Sequence, residues 1–157
     1  MQTRLLHDHA GQRTFAVILQ AGDEVMACLK RFAGAERISA AQITAIGAFE
    51  RAELSFFEWA SKTYLPIPVE EQTEVASLLG DVALDAREKP SAHLHAVLGK
   101  RDGSALAGHL AMGIVRPTLE IVVTETPAHL HRLKDDETGL ALIRPGAGDG
   151  RKRVREP

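Results

Sequence analysis

The chain of 157 residues has a single cysteine, Cys28, so an internal disulfide is excluded. It has no apolar run near the roughly 20 residues that a membrane-spanning helix needs, and its N-terminal residues are too polar for a secretory signal. These absences predict a cytoplasmic protein without a membrane span. The 45% apolar and 25% charged residues are typical of one globular domain.

Positive charge is concentrated at the C-terminus. Residues 144–157 carry a net charge of +3, which leaves −5 on the rest of a chain whose total is −2. A body of that sign is a poor electrostatic match for a phosphate backbone, so any affinity for DNA would have to come from this segment or from a local patch. Because residues 145–157 combine three glycines with basic residues, we expect a domain over residues 1–144 and a disordered basic tail over residues 145–157.

The apolar pattern predicts many strands and one main helix. Residues 14–20 form an apolar, β-branched run typical of a buried strand. Apolar residues then recur at helical spacing from Val25 to Gly34, with Asp23 as the predicted N-cap and Cys28 as a buried, inert thiol. Further strands are predicted at residues 38–49, 52–59, 64–68, 73–79, 82–84 and 118–125, and four prolines (66, 68, 90, 117) are expected at strand ends or edges. The fold class is therefore α+β (α/β in the looser sense), with a mostly antiparallel central sheet.

A predicted hairpin brings three histidines together. His93 and His95 alternate with apolar residues, so they share one face of a strand. If Arg101-Asp102-Gly103 forms a three-residue loop, then Leu98 pairs with Leu106, Leu94 with Leu110, and His95 with His109. A two-residue turn would instead shift the pairing by one residue and place His109 on the opposite face.

Three converging imidazoles suit a divalent metal, zinc above all, and leave a coordination position open for water or a small ligand. The alternative is a patch of histidines on a half-exposed sheet face, hydrogen-bonded to neighbours or water. Glu120 and Glu74, on strands close to the hairpin in sequence, are candidate catalytic acids or bases, although ordinary solvated strand positions explain both.

The other two His-x-His pairs have weaker contexts. His129 and His131 run into a charged segment, and His7 and His9 lie near the N-terminus. We interpret both pairs as solvated surface, while a contribution of either pair across a subunit boundary stays open.

Several segments together resemble the Plants and Prokaryotes Conserved (PPC) domain, a class often described as DNA-binding. They are ITAIGAFERAELSFFE at residues 43–58, TEVASLLGDV at 73–82, HLHAVLGKRDGSALAGHL at 93–110 and PTLEIVVTE at 117–125. The resemblance implies a central antiparallel sheet and a homotrimer, with a metal at His93, His95 and His109. It also implies a fold similar to that of acetolactate decarboxylase, whose zinc is bound by three histidines.

The sequence departs from the DNA-binding side of that family, because it lacks the Arg-Gly-Arg-Pro core of the AT-hook that plant members carry. The leading hypothesis is a metal-binding homotrimer whose site is open to a small ligand, with metal-assisted lyase or hydrolase chemistry on a small oxo-acid. The alternatives are a DNA-binding or transcription-associated module, and a structural trimer with a vestigial site.

Overall fold

A computed structural model of the protein describes residues 1–146, and within them the chain folds into nine strands and one helix. The elements in chain order are β1 (Gln2–His9), β2 (Gln12–Gln20), α1 (Val25–Ala35), β3 (Ala40–Glu58), β4 (Thr63–Val69), β5 (Thr73–Leu84), β6 (Pro90–Gly99), β7 (Ala105–Glu125), β8 (Arg132–Lys134) and β9 (Ala141–Ile143).

Seven strands form one antiparallel sheet in the order β1-β2-β7-β6-β5-β3-β4, and β7 also pairs with β3. The pairings β3–β5, β5–β6, β6–β7 and β7–β3 therefore close a ring of four strands. Strands β8 and β9 form a separate small hairpin. The prediction of a mostly antiparallel sheet with one helix is confirmed.

The core lies between α1 and one face of the sheet. Cys28, Leu29 and Phe32 of α1 are buried, as are Leu94 and Leu98 of β6, with which the helix is in contact. This alternation leaves the opposite face of β6, which carries His93 and His95, outside the core. The prediction that Cys28 is buried is confirmed.

The N-cap of α1 is Glu24 and not Asp23 as predicted. Glu24 accepts hydrogen bonds from the backbone N–H groups of Met26 (3.0 Å) and Ala27 (2.6 Å). The carboxylate of Asp23 turns back instead and accepts from the N–H of Gln20 at 3.0 Å. The longer Glu side chain reaches the free N–H groups of the first turn because Asp23 is engaged in the preceding turn.

Several predicted strands are parts of longer ones. The segments 38–49 and 52–59 form the single strand β3, 73–79 and 82–84 form β5, and the second hairpin strand runs on to Glu125 as β7. Bulges carry β3 and β7 through their breaks, since the β3–β7 register shifts at three places. β5 needs none, because its pairing with β6 runs without a shift from Ser77 to Leu84. Pro66 and Pro68 lie on the edge strand β4 and Pro90 opens β6, whereas Pro117 lies inside β7, contrary to expectation, next to one of these shifts.

The strands β1, β8 and β9 are not predicted by the sequence pattern. All of β1 is exposed, so it lacks the apolar alternation that marks a half-buried strand. Strands β8 and β9 have three residues each. The basic tail predicted at residues 145–157 lies, from residue 147 onward, outside the described residues. Across residues 1–146 no helix has the length and apolar character to span a membrane.

Candidate metal centre

The turn between β6 and β7 sets the position of the histidines. The N–H of Lys100 donates to the carbonyl of Ser104 (2.8 Å), and Gly103 adopts a positive φ of 84° between them. Asp102 accepts from the backbone N–H of Ser104 at 2.9 Å. This is the predicted three-residue loop, so the two-residue alternative is excluded.

The register that follows places His95 directly opposite His109 and Leu98 opposite Leu106, as predicted. The predicted pair of Leu94 and Leu110 is wrong. The β6–β7 ladder ends at His95, and Leu110 pairs with Leu54 of β3 because β7 continues along that strand. The error concerns the residues past the pair of His95 and His109, so that pair is unaffected.

The three imidazole rings form one cluster. Their centroids are 5.1 Å apart for His93 and His95, 5.0 Å for His93 and His109, and 5.6 Å for His95 and His109. One ring nitrogen from each residue lies within 4.8 Å of the other two. In a tetrahedral zinc site with Zn–N bonds of about 2.0–2.1 Å, the ligand nitrogens lie about 3.4 Å apart. The three nitrogens must therefore approach one another by up to about 1.4 Å, through rotation of the rings, to share one ion.

The environment keeps two of these rings neutral. Burial, together with the nearby His93 and His95, lowers the pKa of His109 to about 4. Burial also lowers the pKa of His93, assisted by the charge of Arg132. A neutral imidazole is the form that binds a metal.

His109 carries a further sign of a missing partner. Its Nδ1 is buried and, among the residues that the structure describes, accepts or donates no hydrogen bond. An unpaired buried ring nitrogen costs free energy unless something else occupies it. The donor set, the neutral rings and this atom together fit a bound divalent metal.

Asp81 and Arg132 flank the cluster. Asp81 lies directly opposite His93 across the β5–β6 ladder, on the same face of the sheet. The guanidinium of Arg132 forms an ion pair with Asp81 and donates to the carbonyl of Ser91 at 2.8 Å. Arg132 is only 6% exposed, so the pair ties the small β8–β9 hairpin to the strands that carry the histidines.

Tyr64 of the edge strand β4 covers His109. The two ring centroids are 4.9 Å apart with an interplanar angle of 31°. Tyr64, His93, His109 and Arg132 line a cavity of about 230 Å³ that the β8–β9 segment borders. The cluster therefore faces a space in which a small molecule fits.

Glu120 and Glu74 lie apart from the cluster along the sheet of their own chain. The cross-strand row His95, Leu79, Thr44 and Val122 separates His95 from the part of β7 that carries Glu120 by three strand spacings, a path of about 14 Å along the curved sheet. Glu74 lies opposite Gly99, four residues beyond His95 and therefore about 13 Å along β6. Their catalytic role stays a prediction.

The other histidines differ in exposure. His7 and His9 are exposed on β1, and His129 is exposed with its Nδ1 2.6 Å from the Oγ of Ser39. The interpretation of His131 as solvated is wrong: its side chain is 13% exposed, and its Nε2 lies 3.2 Å from a carboxylate oxygen of Glu88. Burial of His131 follows from a short bridge of its backbone to Leu84, the last residue of β5.

Asp81, Tyr64 and Arg132 were not candidates at the sequence level. Asp81 falls between two predicted strands, and only a continuous β5 pairs it with His93. Tyr64 and Arg132 reach the site through β4 and β8, whose positions depend on long-range contacts. The one available signal is that Tyr64 is the only tyrosine of the chain.

Comparison with known proteins gives one family match. The family described as the Plants and Prokaryotes Conserved (PCC) domain, the same family abbreviated PPC above, matches residues 7–127, well over half of the chain. A comparison with curated proteins found no match.

Several solved structures are similar. A metal-containing protein from Archaeoglobus fulgidus is 32% identical, with a TM-score of 0.78 over 83% of this chain and 92% of that one. A PPC protein from Pyrococcus horikoshii is 29% identical, with a TM-score of 0.79 over 91% and 94%. A candidate DNA-binding protein from Bacteroides thetaiotaomicron is 27% identical, with a TM-score of 0.79 over 90% and 96%.

Proposed function

The chain belongs to the Plants and Prokaryotes Conserved domain family, and we propose that it binds a divalent metal through His93, His95 and His109. The observation that carries the proposal is the convergence of three ring nitrogens within 4.8 Å. The similar protein from Archaeoglobus fulgidus, described as metal-containing, supports it. Zinc suits three neutral imidazoles best.

The three histidines hold the ion and leave one position open toward a small ligand. When bound, such an ion supplies polarisation of a carbonyl group or activation of a water molecule. The chain orients the ligand in the cavity beside Tyr64 and partly excludes water from it through the β8–β9 segment. Glu120 and Glu74 are the proposed proton carriers. Because both lie away from the cluster of their own chain, this role requires that a neighbouring subunit bring its own histidines to them.

The metal content of the purified protein tests the proposal. Untagged wild type and a His95→Ala/His109→Ala variant, prepared identically, are compared by elemental mass spectrometry after exposure to zinc and dialysis. We expect about one ion per chain in wild type and none in the variant. Equal content in the two proteins, or no metal in either, refutes the proposed site.

The homotrimer implied by the family resemblance is also part of the proposal. Four apolar side chains on the sheet face that carries His95 are between 38% and 61% exposed: Ile46, Leu79, Val97 and Val122. A contiguous apolar patch of this kind is typical of an interface. Ile46, Leu79 and Val122 of this patch line a depression that also contains Glu120, which supports a role of that carboxylate at the proposed subunit boundary.

Light scattering after size exclusion tests the trimer. Wild type should have the mass of three chains, and Leu79→Glu should be smaller because a charge in an apolar interface is costly. Leu133→Glu is the matched control, since Leu133 is exposed on β8, outside that face. A monomeric wild type refutes the trimer.

The reaction class that we propose is lyase or hydrolase chemistry on a small oxo-acid. It is supported by the open three-histidine site. The similarity of fold to acetolactate decarboxylase, which the family resemblance implies, is itself part of the proposal and would be an analogy of fold and not of activity. Turnover of 2-oxo and 2-hydroxy acids by the zinc-loaded protein, absent from the double histidine variant, would support this class. Turnover in neither protein would favour a binding role.

A second candidate function is DNA binding, favoured by the description of similar proteins from Bacteroides thetaiotaomicron and Ralstonia eutropha. The basic segment 144–157 would supply non-specific affinity by counterion release, with about nine positive charges in a trimer. Deleting residues 147–157 and repeating a DNA titration at two salt concentrations tests this role of the tail. Affinity that survives the deletion with its sequence preference would point to a readout surface on the domain instead.

A further inference from the structure

The cavity beside the histidines combines imidazole, guanidinium and aliphatic groups in its lining. Its volume is roughly 230 Å³. It is lined by His93 and His109 of the cluster and by Arg132, Leu140 and Leu142 of the β8–β9 segment. Drug-sized pockets measure about 300–1,000 Å³, so this space fits a molecule of only a few heavy atoms. Such a molecule would touch imidazole, guanidinium and aliphatic groups at once.

Arg132 has donor capacity to spare. A guanidinium carries five N–H groups. Within residues 1–146, the contacts of Arg132 are one Nη1–H donated to Ser91 and one ion pair from Nη2 to Asp81. These two contacts fix Nη1 and Nη2 in position, and the other N–H groups of the guanidinium remain for a ligand.

The charges around the cavity favour an anion once a divalent metal is bound. Arg132 and Asp81 balance each other, and the histidines are neutral ligands. A bound ion would then leave the site at a net charge of about +2, beside a fixed guanidinium. An arginine at such a place matches the planar geometry of a carboxylate, with which it can form two parallel hydrogen bonds.

We propose that Arg132 recognises the carboxylate of a small 2-oxo or 2-hydroxy acid whose neighbouring oxygen faces the three histidines. This inference rests on the proposed metal site and specifies its ligand class. The aliphatic wall of Leu140 and Leu142 suits a short apolar substituent on that acid.

Pyruvate and its uncharged amide, pyruvamide, are a matched pair of probes for this role. Both are titrated into zinc-loaded and into metal-free protein, and binding is followed by NMR shifts, which register millimolar dissociation constants. Zinc-loaded wild type should prefer pyruvate by tenfold or more, as expected for hydrogen bonds between charged groups.

Two variants distinguish a direct contact between Arg132 and the carboxylate of pyruvate from an effect of the net charge of the site. Arg132→Gln removes the guanidinium but leaves the half-buried Asp81 without its partner. Arg132→Gln/Asp81→Asn removes both charges, which keeps the net charge and avoids an unpaired carboxylate. In both variants the preference for pyruvate should fall to about twofold or less while the zinc content stays near that of wild type. Arg144→Gln is the control, because Arg144 pairs with Asp135 next to the same hairpin and does not line the cavity.

The outcomes distinguish the two proposals. If wild type holds zinc but the double variant keeps its preference for pyruvate, the role of Arg132 is refuted and the metal site stands. If wild type holds no zinc yet binds pyruvate in an Arg132-dependent way, the metal site is refuted and the role of Arg132 stands. If wild type binds neither zinc nor pyruvate, both proposals are refuted.

Discussion

His95 and His109 face each other directly across β6 and β7, with ring centroids 5.6 Å apart. This relationship depends on the length of one turn, because a shift of one residue moves every side chain of a strand to the other face. The proposed metal site is therefore as sensitive to the backbone of the hairpin as to the histidines themselves.

Deleting Arg101 should abolish metal binding. The deletion shortens the loop to two residues, so β7 either slips by one residue and turns His109 away or strains the hairpin. Zinc content after dialysis measures the effect, and Arg101→Ala, which keeps the loop length, is the control. Full zinc binding by the deletion variant would contradict the role of the register.

Gly80→Ala should destabilise the protein and weaken metal binding. A Cβ at Gly80 would overlap the carbonyl oxygen of His93 and lie 2.7 Å from a methyl carbon of Leu94, so β5 and β6 would have to separate at the site. We expect a loss of about 1–3 kcal/mol of unfolding free energy, measured by urea denaturation.

Gly34→Ala is the matched control for Gly80→Ala. Gly34 lies in α1, and a Cβ there meets nothing within 4 Å. It should therefore leave stability unchanged or raise it by up to about 1 kcal/mol. Equal effects of the two substitutions would contradict the close approach of β5 and β6.

Tyr64→Ala should weaken zinc binding several-fold, because it removes the ring that packs on His109. Tyr64→Phe keeps the ring and should bind zinc like wild type. Competition with a chelator of known affinity measures both constants, and Leu65→Ala, an exposed neighbour on β4, controls for loss of strand stability. Weaker binding by Tyr64→Phe would instead implicate the hydroxyl group.

The metal-free protein should lose stability as the pH falls from about 6.5 toward 4. The pKa of His109 is lowered to about 4 in the folded chain, mainly by burial. The unfolded chain, with an ordinary histidine pKa of about 6.5, therefore binds more protons in this range. This contribution to stability is complete above the unfolded pKa and is lost below it.

Urea denaturation in EDTA at pH 7 and pH 5 checks this dependence. The denaturation midpoint of wild type should fall between the two values, and by less in His109→Gln. His9→Gln, a change of an exposed histidine on β1, should behave as wild type. An equal fall in all three proteins would assign the pH dependence to other groups.

Glu24→Ala should cost about 1 kcal/mol of stability, since it leaves the N–H groups of Met26 and Ala27 without their acceptor. Glu24→Gln keeps one acceptor oxygen and should lose less. Chemical denaturation of the three proteins gives the comparison. No loss in Glu24→Ala would show that water replaces the cap.

The sequence by itself determined the hairpin and the face of the histidines. Alternation along residues 92–99 and the loop Arg101-Asp102-Gly103 are local properties, set by side-chain periodicity and by the turn preference for glycine. The helix, the buried thiol and the antiparallel sheet follow from equally local patterns. The hairpin, the helix and its buried thiol agree with the structure because each depends on neighbours within a few residues. The antiparallel class of the sheet also agrees, although the pairing of its distant strands is not a local property.

Only the tertiary structure decided what surrounds the histidines. Asp81 lies beside His93 because β5 runs unbroken, Tyr64 covers His109 because β4 pairs with β3, and Arg132 arrives from a segment some 40 residues further along the chain. The same long-range packing sets Glu120 and Glu74 apart from the cluster. Local periodicity carries no information about such contacts, since they depend on which distant strands bury their apolar faces against each other.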